Sequence, residues 1–337
     1  MTDQTSRSKL EPGQEQTLHS LPPKVAVIVL NWNNAPDTLN CLESLHRQDY
    51  ENFEIVVVDN GSTDDSVQAV NSVSYDLRLF ELESNTGYSE GNNVGIRHAL
   101  EQGADYVLIV NNDTVVSPSM LRKLVQFAES RPAAGLVGPM MYCLGKADTV
   151  FAAGSFIQWH KGLTWHRGMF EPAANYDNLS EPEPVDFISG CGILMKTSLI
   201  RRAGLLDPEY YLNFEDVEWA VRIRRLGAEV WLVPQARLWH RVSASLGQDS
   251  AINTYYLTRN ALRFFGKYTP LHVRWFAVLN IVLRTLRTIA AWTFKPEYRG
   301  ESFRKRRSAN ILALRDFLMG RKGQMKLETA ITIGADK

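Results

Sequence analysis

The chain has few cysteines and no net charge. Its 337 residues contain three cysteines, Cys41, Cys143 and Cys191, which lie far apart and form no CxxC pair. This pattern argues against a disulfide framework or a zinc knuckle and favours a reducing, cytoplasmic setting. The 37 basic and 37 acidic side chains cancel, so no overall charge attracts nucleic acid, and we expect no nucleic-acid partner.

Several common functional signatures are also absent. Residues 31–34, which follow the first hydrophobic run, lack the glycines of a dinucleotide-binding turn, and this disfavours an NAD-dependent oxidoreductase. The chain has no Walker A motif and no GxSxG nucleophile elbow, which disfavours P-loop and serine-hydrolase chemistry. Residues 1–20 lack the apolar core of a signal peptide, so we expect residues 1–22 to be a disordered polar leader.

What the chain does contain is a regular alternation of short β-branched runs and amphipathic segments. The first four runs predict strands at Val25–Leu30, Phe53–Val58, Leu79–Leu82 and Tyr106–Val110, each followed by a helical pattern. Such alternation is typical of an α/β fold with a mostly parallel central sheet flanked by helices. The nearly continuous apolar character of the first two runs suits strands that helices cover on both faces.

The second half of the chain predicts further elements. A regular pattern is seen again at Phe187–Met195. After it, Glu215–Gly227 predicts a helix and Glu229–Val233 predicts a strand that ends at Pro234. The aromatic, glycine-rich and proline-rich segment before them predicts irregular loops and short strands that face a ligand. The expected organisation is a leader over residues 1–22, a catalytic domain over 23–248, a basic helical region over 249–325 and a tail over 326–337.

Polar side chains follow several of these strands, and ligands of open α/β sheets bind at the carboxyl ends of strands. Asp59 carries an acceptor-only carboxylate that suits the imide N–H of uracil or thymine, although an Asx turn uses the same residues. Asp113 and His240 each follow a strand and together suit a divalent ion such as Mg²⁺ or Mn²⁺. The glycine- and amide-rich segment Asn85–Gly95 leads into a helix and suits ribose or phosphate.

The predicted helix from Glu215 begins with two carboxylates. Asp216 shares one helical face with apolar residues and is therefore turned inward, whereas Glu218 and Arg222 are expected to form an outward i,i+4 pair. The apolar residues of that face are Trp219, Ile223 and Leu226. An inward carboxylate at the rim of a cleft is a candidate general base. Carboxylates in a first helical turn are also explained by the helix dipole alone.

Taken in order, the motifs over residues 24–242 resemble glycosyltransferase family 2, the inverting transferases of GT-A fold, and in particular its bacterial rhamnosyltransferase-like members. The motifs are Val-Ile-Val-Leu-Asn-Trp-Asn (27–33), Val-Val-Asp-Asn-Gly-Ser (57–62), Asn-Thr-Gly-Tyr-Ser-Glu-Gly-Asn-Asn-Val-Gly (85–95), Asn-Asn-Asp (111–113), Phe-Glu-Asp-Val-Glu-Trp (214–219) and Trp-His (239–240). One departure concerns the metal motif, which is often Asp-x-Asp in the family and here begins with Asn111.

The resemblance implies a role for each candidate residue. It implies nucleotide-sugar contacts at Asn31, Asn33, Asp59, Asn85, Gly87, Asn92 and Asn112, acceptor contacts at Glu215 and Trp219, a divalent metal (Mg²⁺ or Mn²⁺) at Asp113 and His240, and a catalytic base at Asp216. Arg259 or Arg263 would offset diphosphate charge.

The same resemblance implies the reaction. We expect a metal-dependent, inverting hexosyltransferase that moves L-rhamnose from dTDP-rhamnose to a glycan or lipid-linked acceptor during bacterial surface polysaccharide synthesis. Two alternatives stay open. One is a transferase that uses a UDP-sugar, and the other is a catalytically inactive nucleotide-sugar-binding protein of the same fold.

Residues 273–294 are long and apolar, but Arg274, Arg284 and Arg287 interrupt them, which disfavours a membrane span. Their aromatic and leucine side chains, followed by the basic run 304–307, fit a helix in the headgroup region of an anionic membrane surface. A helix packed on the catalytic domain, or on a second subunit of a homo-oligomer, fits equally well. The expected location is the cytoplasm, with peripheral contact to the inner face of the cell membrane.

Overall fold

The computed structural model describes residues 21–241 and 250–334. The strands in this part of the chain are β1 (Val25–Asn31), β2 (Phe53–Asp59), β3 (Arg78–Glu81), β4 (Tyr106–Asn111), β5 (Thr114–Val116), β6 (Ala134–Cys143), β7 (Lys146–Ala152), β8 (Ser155–Gln158), β9 (Leu163–His166), β10 (Glu183–Pro184), β11 (Gly192–Lys196) and β12 (Glu229–His240). The α-helices are α1 (Ala35–His46), α2 (Ser66–Asn71), α3 (Gly87–Glu101), α4 (Met120–Ser130), α5 (Thr197–Ala203), α6 (Glu215–Arg225), α7 (Ala251–Tyr268), α8 (Leu271–Phe294), α9 (Glu301–Leu318) and α10 (Leu327–Ile333). Most of the predicted leader, the predicted boundary at residue 248 and the last three residues of the predicted tail lie outside the described residues.

One large sheet organises these elements. Its strand order is β10-β12-β6-β11-β4-β1-β2-β3, with β5 beside β12 and β7 beside β6. Strands β3, β2, β1 and β4 run parallel to one another, whereas β11 is antiparallel to both β4 and β6. Successive strand residues point to opposite faces, and Val25–Val29 and Val56–Val58 are all fully buried, so both faces are covered. The predicted α/β fold with a parallel core and flanking helices is confirmed.

The strand after α6 extends well past Pro234, which was predicted to end it. β12 continues to His240 and pairs with β6 on both sides of the proline. The register shifts between Val233 and Arg237, and this irregularity accommodates a residue that has no N–H to donate to the sheet. The prediction was therefore wrong. The extra length places His240 opposite Thr114 of β5.

The C-terminal helices pack on the sheet domain, and they supply the helical extension that was predicted. Leu262 and Phe265 of α7 are fully buried in the same hydrophobic core as the central strands. Helix α8 contacts both α7 and α9 and buries Ala277 and Ile281 in that core. Among the described residues, no helix is both long and apolar enough to cross a membrane.

Candidate active site

The pairing of the strands brings predicted site residues to one edge of the sheet. In the parallel half, Asn31 at the end of β1 lies opposite Asp59 at the end of β2. In the mixed half, His240 at the end of β12 lies opposite Thr114, the residue that follows Asp113. Residues far apart in sequence therefore meet because β1 and β2 end together and β12 ends where β5 begins.

A cavity of about 590 Å³ lies at this edge. Its polar side is formed by Asn60, Asn85, Gly87, Asn112 and Asp113. Ligand-binding cavities usually measure about 300–1,000 Å³, so this one has the size for a nucleotide sugar. Three of the predicted nucleotide-sugar contacts and one predicted metal ligand thus share one cavity wall.

Asp59 is held in a hydrogen-bond network and does not line the cavity. Its carboxylate accepts from the Asn31 amide at 2.7 Å, from the Ser62 hydroxyl at 2.5 Å and from the Ser62 backbone N–H at 2.9 Å. Asn33 joins the same turn, because its backbone N–H donates to the Ser62 hydroxyl and its side-chain oxygen accepts from Thr63. The Asp59 carboxylate thus closes the turn that follows β2 by bonding the backbone N–H three residues on, and direct contact of Asp59 with a nucleotide base stays a prediction.

Gly87 and Asn92 lie in the first turns of α3. Gly87 has a φ of +85°, and a Cβ at this position would lie 2.5 Å from the ring of Tyr211, so the close approach requires glycine. Asn92 is fully buried, and its amide donates to the carbonyl of Tyr88 at 2.9 Å. That placement gives Asn92 a part in supporting the first turn of α3, and its contact with a donor stays a prediction.

Asp113 and His240 form a buried pair. Oδ1 of Asp113 lies 3.3 Å from Nε2 of His240, and the two residues are only 6% and 8% exposed. Within the described residues, neither Asp113 Oδ1 nor His240 Nδ1 has a hydrogen-bond partner, and no third His, Cys, Asp or Glu completes a cluster around them. A carboxylate and an imidazole fit Mn²⁺ or Mg²⁺ when water and substrate phosphates fill the remaining positions.

The groups around His240 favour the positively charged form of its imidazole. Burial disfavours the charged imidazole, but the neighbouring Cys191 and Asp113 raise the pKa of His240 well above its ordinary value. The Cys191 thiol also accepts from the Asn111 amide at 3.5 Å. A divalent cation bound here would take the place of the imidazole proton.

Glu215 and Asp216 begin α6 and differ in their partners. Asp216 accepts from the Gly190 N–H at 2.9 Å and from the Val217 N–H at 2.7 Å. Burial raises the pKa of Asp216, and these backbone donors partly offset that shift. Glu215 is 5% exposed and its Oε2 has no hydrogen-bond partner among the described residues. Burial and the nearby Asp216 raise the pKa of Glu215 well above its ordinary value.

Tyr88 connects the cavity with this carboxyl pair. It lines the cavity, and its hydroxyl donates to the carbonyl of Gly190 at 2.8 Å. Burial raises the pKa of Tyr88, and Glu215, Asp216 and Asp113 raise it further by their charge. The candidate base and the candidate metal ligand are therefore both close to one phenol ring.

Three predictions about α6 were wrong. Trp219 is fully buried and its Nε1 donates to the carbonyl of Gly204 at 2.9 Å, so it packs in the core and has no surface for an acceptor. Glu218 is paired with Arg222 as predicted, at 2.8 Å, but it is fully buried instead of facing outward. Leu226 is exposed, because the helix ends at Arg225 before its stripe is complete.

The two arginines predicted to offset diphosphate charge are engaged elsewhere. Arg259 is buried, donates to the Tyr210 carbonyl and lies over the Tyr256 ring. Arg263 pairs with Glu209 and approaches Asp207 at 3.8 Å. Neither lines the cavity, so in this structure both stabilise the attachment of α7.

Some residues of the site were missed at the sequence level. Tyr88 and Gly190 lie inside segments that were noticed, but no pattern showed that they link the cavity to Asp216. Met325 and Leu327 line the cavity from the C-terminal end of the chain, where no motif pointed to a ligand. Only the folded arrangement reveals them.

Comparisons with known proteins identify the family of the chain. The family described as "Glycosyl transferase family 2" matches residues 26–202, more than half of the chain. The N-acetylglucosaminyl-diphospho-decaprenol L-rhamnosyltransferase of Mycobacterium tuberculosis is 26% identical over 67% of this chain and 78% of that protein. The dTDP-rhamnosyl transferase RfbF of Shigella flexneri is 21% identical over 81% of this chain and 91% of that protein.

Solved structures support the fold. The mannosyltransferase PcManGT of Pyrobaculum calidifontis, solved with GDP-Man and Mn²⁺, has a TM-score of 0.56 at 19% identity and covers 89% of this chain and 88% of its own. TarS of S. aureus, residues 1–349 with UDP-GlcNAc, has a TM-score of 0.56 at 18% identity and covers 88% of this chain and 81% of its own. From the match over residues 26–202, the protein belongs to glycosyl transferase family 2 and is a glycosyltransferase.

Proposed function

We propose that this protein is a metal-dependent, inverting glycosyltransferase that moves L-rhamnose from dTDP-rhamnose to a glycan or lipid-linked acceptor in bacterial surface polysaccharide synthesis. The observation that carries the proposal is the buried Asp113–His240 pair, of which Asp113 lines a cavity of nucleotide-sugar size. Tyr88 lines that cavity and bonds to Gly190, whose N–H donates to Asp216, and this link supports a base close to the proposed donor site.

Each residue has a chemical task in this reaction. Asp216 accepts the proton of an acceptor hydroxyl while the hydroxyl oxygen attacks the anomeric carbon and the bond to the diphosphate breaks. A single displacement of this kind inverts the anomeric centre and needs no covalent intermediate. Asp113 and His240 would hold the divalent ion, which supplies positive charge for the leaving diphosphate. Glu215, buried next to Asp216, is the proposed acceptor contact.

The proposed donor draws on the relatives. Two of them are named for rhamnosyl transfer, one with a dTDP-linked donor and one with a lipid diphosphate acceptor. The amides Asn85 and Asn112 on the cavity wall suit the ribose and diphosphate of any pyrimidine nucleotide. A UDP-sugar donor is therefore the alternative that the first experiment must separate from dTDP-rhamnose.

Thermal unfolding of the purified protein with dTDP, UDP, GDP or NAD, each with and without Mn²⁺, tests the donor and the metal. A ligand at about 100 times its dissociation constant adds about 2.7 kcal/mol to the free energy of unfolding. We expect a Mn²⁺-dependent shift with dTDP that Asp113→Ala removes. The control is Asp76→Ala, at an exposed aspartate that does not line the cavity. A shift with NAD alone, or none with either pyrimidine nucleotide, contradicts the proposal.

Turnover distinguishes an enzyme from an inactive binding protein of the same fold. Asp216→Asn keeps the shape of the side chain but removes its basicity, so we expect the transfer rate to fall by about 10²–10⁴-fold while nucleotide binding is retained. The anomeric configuration of the product, read by NMR, tests inversion. Retained transfer in Asp216→Asn would exclude it as the base.

The exposed side of helix α8 supports the proposal that the protein lies at a membrane surface. It exposes Trp275, Phe276, Leu279 and Leu283 along one side, contains no Asp or Glu, and is followed by the exposed cations of residues 304–305. An amphipathic helix with aromatic anchors and nearby cations suits the headgroup region of an anionic leaflet. This location would bring the enzyme close to a lipid-linked acceptor on the cytoplasmic side.

A further inference from the structure

The cavity has a second wall, which lies outside the matched family region. Opposite the strand ends, the cavity is lined by Ile252 and Tyr256 of α7 and by Met325, Leu327 and Ala330 of the C-terminal segment. These side chains are apolar except for the Tyr256 hydroxyl, and Gln324 of the same segment adds one amide. The strand-end wall carries four asparagine amides and a carboxylate beside Leu30, Trp32 and Tyr88. The family match ends at residue 202, and the residues of this wall, from Ile252 onward, also lie beyond the last motif of the resemblance at residues 239–240.

The C-terminal segment, residues 321–334, is fixed at several points. Arg321 pairs with the fully buried carboxylate of Asp316 at 3.0 Å. The Gly323 N–H donates to the Glu209 carbonyl at 2.7 Å, and the Met325 N–H donates to the Tyr256 hydroxyl at 2.9 Å. The wall is therefore held in place by the fold and does not depend on a ligand for its position.

A chain of hydrogen bonds joins this segment to the polar wall. The Gln324 amide reaches the Tyr211 hydroxyl at 3.4 Å, and that hydroxyl donates to Oδ1 of Asn85 at 3.2 Å. The same oxygen accepts from the Asn60 amide at 3.1 Å. Tyr211 also stacks on Tyr256, with ring centroids 5.1 Å apart. These contacts fix the position of the apolar wall relative to Asn85 and Asn60 on the amide side of the cavity.

A ligand that fits between these walls has polar groups along one edge and an apolar face. A nucleoside has this character, because its base edge and ribose hydroxyls form hydrogen bonds while the ring faces are apolar. We propose that Met325 and Leu327 contact the nucleoside of the bound nucleotide-sugar donor and form, with α7, the outer wall of its site. This inference rests on the proposed function, since it concerns the same donor.

Two alanine variants and a matched control test the inference. Leu327 and Ile331 lie one turn apart on α10 and are both exposed, at 70% and 56%, but only Leu327 lines the cavity. We expect Met325→Ala and Leu327→Ala each to raise the Kd of dTDP by about tenfold, equal to about 1.4 kcal/mol, in isothermal titration with Mn²⁺. Ile331→Ala should leave this Kd unchanged. Retained melting temperatures show that the variants fold.

The readout uses the nucleoside diphosphate without a sugar, which separates the outcomes. If the unaltered protein binds dTDP and both variants bind it equally well, the proposed wall is wrong and the proposed function stands. If the variants raise only the KM for acceptor, the wall belongs to the acceptor site and the inference is likewise overturned. If the unaltered protein binds no pyrimidine nucleotide, the proposed function fails and this inference fails with it.

Discussion

The backbone N–H of Gly190 donates to Oδ2 of Asp216 at 2.9 Å, and the carbonyl of the same glycine accepts from Tyr88 at 2.8 Å. Gly190 is thus bonded to the candidate base through its N–H and to Tyr88, a side chain of the cavity, through its carbonyl. The donor N–H lowers the pKa of Asp216 against the effect of burial. The basicity of Asp216 therefore depends on where Gly190 is held.

Replacement of Gly190 by alanine should disturb this arrangement. A Cβ at Gly190 would lie 2.8 Å from the Tyr88 hydroxyl, so Tyr88 or the Gly190 backbone must shift, and we expect the bonds that Gly190 makes to Tyr88 and Asp216 to weaken. Loss of that donor raises the pKa of Asp216, and the acid limb of the kcat/KM profile should shift to higher pH. Gly266→Ala is the control, because a Cβ there meets no atom within 4 Å. An unchanged acid limb in Gly190→Ala would count against Asp216 as the base.

Glu215→Gln should stabilise the protein at neutral and higher pH. Burial and Asp216 raise the pKa of Glu215 above its ordinary value of 4.5, so the folded state binds the Glu215 proton more tightly than the unfolded state does. The free energy of unfolding therefore falls as pH rises above about 4.5. The neutral amide does not carry this penalty. Melting temperatures at pH 5 and pH 8 should show a larger gain for the variant at pH 8, and an equal gain at both would contradict the argument. We also expect lower transfer activity, since Glu215 is the proposed acceptor contact.

Trp219→Phe distinguishes packing from substrate contact. The variant loses the Nε1 donor to Gly204 and part of a fully buried ring, which should cost about 2 kcal/mol in the free energy of unfolding. Because no surface of Trp219 is exposed, the KM for acceptor should stay the same. Urea unfolding and initial-rate kinetics provide the two measurements. A raised KM with unchanged stability would restore the acceptor role that the sequence suggested.

Local sequence patterns were sufficient for the central strands but not for elements that depend on distant partners. Apolar runs of β-branched residues predicted β1, β2 and β4, because strands that are buried on both faces consist almost entirely of apolar residues. The passage of β12 through Pro234 depends on its pairing with β6, and no local signal encodes that pairing. The burial of Glu218 has the same origin, since Tyr268 of α7 donates to its carboxylate. A helix covered on nearly all sides loses the polar face on which periodicity arguments rely.

The site was predictable in its residue types and less so in its geometry. Asp59 and Asp113 both follow strands, yet the Asp59 carboxylate is engaged by Ser62, whereas Asp113 lines the cavity and its Oδ1, beside His240, accepts no hydrogen bond in the described part of the chain. The difference arises from a serine three residues downstream in one case and from β5–β12 pairing in the other. Met325 and Leu327 reach the cavity only because α9 and α7 position them, and an apolar residue near a chain end carries no functional signal of its own.

The exposed side of α8 gives a test of membrane contact. Trp275 and Leu279 lie one turn apart, and both are more than half exposed, so Trp275→Gln with Leu279→Gln should leave the fold intact. We expect this double variant to lose at least about tenfold in affinity for vesicles of phosphatidylglycerol, because its apolar contact with the acyl boundary is removed.

The matched control is Leu318→Gln with Met319→Gln, which alters two exposed apolar residues outside α8 and should bind like the unaltered protein. Binding of the unaltered protein should also weaken at 1 M salt, where the Debye length falls to about 3 Å and the cations of α9 are screened from the lipid. Sedimentation of the protein with and without vesicles reports both effects. A different result would be that the unaltered protein binds no vesicles but forms a concentration-dependent dimer, and that the α8 double variant is a monomer. The exposed face of α8 would then be an interface with a second copy of the chain.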